Sequence, residues 1–153
     1  MIKIFFVLML VSICGNVGAG WVYVAETEKS IKIKDAFIAY ADPETIRKKG
    51  NMVKMWSLYD YKFPQKPGII SIRQKSEYNC IEKKRRQLFL SAYSGKMNNG
   101  ETILIYNQPE NDWERAPLGS IRKAMLEFAC GWHPKLPPRN YFNNAIAIIE
   151  AAK

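Results

Sequence analysis

The chain is short of catalytic residues. Of its 153 residues one is histidine and three are cysteine. A single histidine, His133, excludes two-histidine metal sites and most triads and dyads, and three cysteines are too few for most zinc, haem or iron–sulfur scaffolds. There is no Gly-x-Ser-x-Gly and no glycine-rich phosphate loop. Glu26, Glu28, Asp35, Asp42 and Glu44 are neighbours in sequence. Acid–base work, however, needs two carboxyls facing each other across a cleft, and nothing in the pattern fixes one. The expectation is a non-enzymatic protein with no metal and no cofactor. Negative charge is scarce as well: 14 Asp and Glu stand against 23 Lys and Arg, a net charge of +9. What is abundant is apolar: 48% hydrophobic and 12% aromatic residues, enough for the core of one domain and too many for a disordered chain.

The one long hydrophobic run lies at the N-terminus. Lys3 is followed by the apolar stretch Ile4–Cys14 and by the small residues Gly15, Gly18, Ala19 and Gly20. Eleven helical residues span only ~16 Å, about half a bilayer core, so the run reads as a signal peptide over residues 1–20 rather than a membrane span. Val11-Ser12-Ile13-Cys14 approaches a lipoprotein pattern, with Ile13 where a small residue is expected. Cleavage removes Lys3 and Cys14, leaving no transmembrane span, 22 basic and 14 acidic residues, and two cysteines. In an exported chain Cys80 and Cys130 are expected to be bonded, the alternative being two reduced buried thiols.

Along the mature chain, β-type patterns run at 21–24, 31–34, 36–40, 51–62, 69–80, 85–94 and 101–106. Asp42-Pro43-Glu44 reads as a helix start, with Asp42 as N-cap, Pro43 at the first position and Glu44 in the first turn, and Gly50 as its stop; one or two helical turns are expected over 42–49. In 51–62, Val53, Met55, Ser57, Tyr59 and Tyr61 share one face, with Lys54, Trp56, Leu58 and Asp60 on the other. In 69–80, Ile70, Ile72, Tyr78 and Cys80 share the face expected to be covered. Ser120–Cys130 is the best helix, capped by Ser120 and ended by Gly131, with a core stripe of Ile121, Ala124, Met125, Phe128 and Ala129. A proline-containing tail at 132–153 carries a second candidate helix, 145–152. Short turns between successive strands favour antiparallel pairing. The fold class is therefore α+β: an antiparallel sheet of about five to six strands with a C-terminal helix packed on one face and tethered by the Cys80–Cys130 disulfide.

The ordered set Trp21-Val22, Ala41-Asp42-Pro43-Glu44-Thr45-Ile46-Arg47, Gly50-Asn51, Val53-Lys54-Met55-Trp56, Asp60-Tyr61-Lys62, Tyr78-Asn79-Cys80, Ala92-Tyr93-Ser94-Gly95, Trp113-Glu114 and Ala129-Cys130-Gly131 resembles the surface-adhesin protein E family, exported proteins of Gram-negative bacteria. The resemblance covers residues 21–131. It implies a sheet whose helix is tethered by a disulfide, a homodimer, and adhesion to host cells and to matrix or plasma proteins.

Two basic runs stand out as candidate binding residues for an anionic glycan or acidic protein partner: Lys83, Lys84, Arg85 and Arg86, and Arg47, Lys48 and Lys49. In an extended strand successive side chains alternate faces, so neither run need form one patch. Export argues against nucleic acid as the partner. Trp21, Trp56 and Trp113 are expected in the core or on a sheet face. The functional expectation is an exported binding module at the periplasm or outer-membrane surface; the competing reading is a periplasmic envelope protein or enzyme inhibitor without adhesive role.

Overall fold

The computed structural model describes residues 20–27 and 36–131. The signal-peptide reading, the strand expected at 31–34 and the tail with its second helix lie outside the described residues. Within them, six strands form one antiparallel meander: β1 (Val22–Glu26), β2 (Phe37–Lys49), β3 (Met52–Gln65), β4 (Ile69–Asn79), β5 (Lys84–Tyr93) and β6 (Thr102–Tyr106). A two-residue strand, β7 (Glu114–Arg115), pairs with the start of β5, and α1 (Ile121–Cys130) follows it.

The short helix expected at 42–49 is absent; those residues complete β2. The cap chemistry is present but serves a bulge. Asp42 Oδ1 accepts from Glu44 N at 3.1 Å, Thr45 Oγ1 donates to Asp42 O at 2.7 Å, and Trp56 N donates to Thr45 Oγ1 at 3.0 Å. The pairing slips here, from Asp42 opposite Trp56 to Arg47 opposite Lys54. An Asp–Pro–Glu–Thr segment thus satisfies its backbone locally while the strand resumes beyond it. Gly50, at φ +58°, turns the β2–β3 hairpin rather than ending a helix.

The helix matches its sequence signature. Ser120 Oγ accepts from Lys123 N, and Gly131 closes the other end at φ +75°. Met125, Phe128 and Ala129 are buried as the stripe predicts, and Ile121 and Ala124 are half-buried. Leu126, outside the expected stripe, is fully buried too and belongs to the same core cluster. These side chains meet Ala39, Ala41, Val53, Met55 and Tyr78, all from the same sheet face. Small alanines on β2 let the helix approach closely. Cys80 and Cys130 are bonded, with Cα atoms 5.7 Å apart, and join the end of β4 to the end of α1. At the far end of the opposite face, the 3-10 turn Lys96–Asn98 covers the sheet: Met97 N donates to Asp60 Oδ1 and Asn98 N to Ser71 Oγ, each at 2.9 Å.

Candidate functional site: the open sheet face

The sheet has a helix-covered face and an open one, and strand register decides which side chains reach each. Residues directly opposite one another on neighbouring strands share a face, with strands ~4.8 Å apart. On the open face, register aligns Lys49, Met52, Asn79, Lys84 and Arg115 in one cross-strand row. The next row holds Arg47, Lys54, Glu77 and Arg86. The third is Asp42, Trp56, Lys75 and Phe89, and the fourth runs through Tyr40, Leu58, Arg73 and Ser91.

The two basic runs of the sequence are split by this geometry. Arg47 and Lys49 reach the open face, whereas Lys48 pairs opposite Val53 on the helix side. Lys84 and Arg86 reach the open face, whereas Arg85 stands opposite Tyr78 and Glu114. There its guanidinium bonds Glu114 Oε2 at 3.1 Å, an oxygen shared with Arg122 of the helix at 3.2 Å. Lys83 sits in the β4–β5 turn at φ +56°. In place of either run, the structure joins alternate members of both to Lys54, Lys75, Arg73 and Arg115. These four are isolated in sequence and were not singled out from it. The signal that could have found them is parity: once the strands and their register are known, each lies at an even step from a run member on its own or a neighbouring strand.

Glu77 is the carboxylate of the second row, its side chain only 9% exposed. Arg86 Nε bonds its Oε2 at 2.8 Å, and Lys54 Nζ lies 3.6 Å from Oε1, itself 48% exposed. One buried acid thus holds two cations upright and neutralises only part of their charge. Around the hairpin end, Arg47, Lys48, Lys49, Met52, Lys54 and Glu77 line a concavity of about 520 Å³. Arg47 donates through its guanidinium to the carbonyls of Glu44 and Ile46, at 2.8 and 2.9 Å, so the bulge of β2 fixes its direction. In the first row, Lys84 bonds Glu82 of the adjoining turn at 2.8 Å and thereby holds that carboxyl below the usual carboxylate range.

Aromatic rings separate the cations. The Arg73 guanidinium lies 4.1 Å from the Trp56 ring centre, the Lys75 ammonium 5.7 Å from it, and Phe89 meets Trp56 edge-on at 5.4 Å. Arg86 stands 4.9 Å from the Trp113 ring. Each such stack is worth about 0.5–2 kcal/mol and fixes a long side chain that would otherwise lose entropy on binding. Trp56 and Trp113 are half-buried on this face, in keeping with a sheet-face role. Among the described residues no cluster of His, Cys, Asp and Glu could hold a metal ion, and no helix is long and apolar enough to cross a membrane. The arrangement can attract and hold negative charge, and it presents no nucleophile paired with a base.

The family model of surface-adhesin protein E matches residues 21–131, the whole of the sheet and its helix. The chain belongs to the surface-adhesin protein E family. Two solved structures of Haemophilus influenzae protein E share the fold of this adhesin-family chain. One, a selenomethionine form, is 16% identical with a TM-score of 0.51, covering 78% of this chain and 92% of that one. The other is 14% identical with a TM-score of 0.51, covering 80% of this chain and 92% of that one. No curated protein matches the chain.

Proposed function

We propose that this adhesin-family protein is an exported, non-enzymatic binding module whose open sheet face takes an anionic partner: an acidic patch on a host matrix or plasma protein, or an anionic glycan. The observation that carries this reading is the row Arg47–Lys54–Glu77–Arg86, in which three cations from three strands surround one nearly buried acid beside a basic concavity. Cations fixed by stacking and by a shared carboxylate are pre-organised, so little ordering cost remains when a partner's anionic groups arrive. Of the two basic runs, Arg47, Lys49, Lys84 and Arg86 belong to the contact surface; Lys83, at the adjoining turn, extends it at the edge, and Lys48 and Arg85 support it from the other side.

The reading includes a signal peptide over residues 1–20, a binding domain over 21–131, a tail over 132–153, a homodimer, and display at the outer surface. Sedimentation of the mature chain reads the homodimer. Surface display is tested by protease treatment of intact cells: loss of the full-length band supports adhesion, while full protection with release by osmotic shock assigns the protein to the periplasm and favours the envelope-protein reading.

A further inference from the structure

The sheet ends in β6, and its free edge is unusual. Such edges are ordinarily blunted by lysine, proline, or a bulge, because unpaired N–H and C=O groups recruit other strands. Thr102–Tyr106 reads TILIY, with neither charge nor proline; its one irregularity is the bulge at Ile103, between Leu104 opposite Ala92 and Thr102 opposite Tyr93, and the large side chains beyond it are open to solvent: Ile105 is 60% exposed, Leu104 49% and Tyr106 43%. One side of β6 pairs with β5 through Ala92–Leu104, Ser91–Ile105 and Leu90–Tyr106; the other side pairs with no strand among the described residues.

Beyond Tyr106 the chain swings out and returns along β5, where Glu110 N donates to Gln87 O at 2.9 Å and Glu110 Oε2 accepts from Gln87 N at 3.2 Å. This excursion encloses a concavity of about 390 Å³ at the end of the edge strand, lined by Tyr106, Gln108, Glu110, Asp112 and Glu114 among others. Glu114 is shared by Arg85 and Arg122, but Glu110 and Asp112 leave this concavity acidic in a chain of net charge +9, and an exposed apolar edge leads directly to it.

We infer that β6 is a strand-addition site for an extended peptide that presents aliphatic side chains at alternate positions and a lysine or arginine at the end next to Tyr106. Main-chain bonds to the free edge supply affinity, the aliphatic residues continue the faces formed by Ile105 and by Leu104 and Tyr106, and the cation enters the acidic concavity. Charge favours such a peptide over a second copy of this chain: pairing two β6 strands about Leu104 would place Glu101 of each copy opposite the neutral Asn107 of the other, and the paired segment TILIY brings no cation to the acidic concavity. The site is separate from the basic open face, and its failure leaves the reading of that face untouched.

The test is a labelled peptide of alternating valine and threonine with one lysine at its amino end, titrated by fluorescence anisotropy and followed by hydrogen exchange. The expected result is saturable binding to the mature chain with new amide protection confined to residues 102–106. Binding should weaken at least tenfold in Ile105→Lys, whose side chain is exposed in the folded protein, and severalfold in Asp112→Asn or when the peptide's lysine becomes glutamate. Absence of saturable binding, protection located elsewhere, or indifference to Ile105→Lys overturns the proposal. So does a dimer that Ile105→Lys converts to a monomer, since the edge then serves a second copy. Should Ile105→Lys fail to fold, Leu104→Lys and the protection map of the unmodified chain decide the question alone.

Discussion

Glu77 and Arg86 stand directly opposite each other on β4 and β5, and two nitrogens of the Arg86 side chain contact Glu77 Oε2 at 2.8 and 2.6 Å. The acid also faces Lys54, so it organises the cationic row while subtracting from its charge. Glu77→Gln keeps the shape and removes the charge. Stability should fall by about 1–3 kcal/mol, because the half-buried Arg86 loses its charged partner. Affinity for an anionic probe at low salt should rise rather than fall. Denaturant melts and a binding titration on the same variant check both halves.

Cys80 and Cys130 close a loop with a sequence separation of 50. The chain-entropy estimate for such a loop is about 4 kcal/mol, a large share of the ~5–15 kcal/mol typical of a domain. Replacing both with serine should lower the Tm sharply and expose the amides of α1 to exchange before those of β3 and β4. Thermal melts with hydrogen-exchange mass spectrometry check the order.

Thr45 couples the β2 bulge to β3, since its hydroxyl accepts from Trp56 N while donating to Asp42 O. Thr45→Val should cost about 1–2 kcal/mol by leaving that N–H without its acceptor. It should also weaken anion binding, because the bulge sets the direction of Arg47. Thr45→Ser should restore both properties.

Tyr78 is fully buried under the helix, and burial pushes its phenol well above the usual value of 10.0. The folded state keeps its proton after the unfolded chain has lost it. The stability this contributes is whole below pH 10 and declines as pH rises above it. Alkaline unfolding monitored by circular dichroism should therefore steepen above pH 10, and Tyr78→Phe should flatten that limb while leaving stability at neutral pH within about 1–2 kcal/mol of wild type.

Much of the fold was legible in the sequence. The helix was readable because Ser120, the apolar stripe and Gly131 agree, and the long strands because their alternation is strong. The strand over 42–49 was not, since Asp42, Pro43 and Thr45 carry helix-start chemistry that β3 diverts into a bulge through Trp56 N. The proposed binding face was legible only in part. Basic runs are visible in sequence, but a sheet assembles its surface across strands, so Lys54, Lys75 and Arg73 emerge only once register is known. The same alternation turns Arg85 to the helix side and leaves Lys48 opposite Val53, at the rim of the concavity rather than in the rows.

The central claim is that the open face, rather than net charge alone, binds anionic partners. The direct measurement is heparin affinity at ~0.15 M salt, where the Debye length is about 8 Å, for two triple variants of equal charge. One replaces Arg47, Lys54 and Lys75 with glutamine; the other replaces Lys66, in the β3–β4 turn, and Arg122 and Lys123, on the helix. The account predicts a loss of tenfold or more for the first, with a shallower salt dependence, and a change below threefold for the second. Equal losses in the two variants, or binding that does not respond to salt, would contradict it.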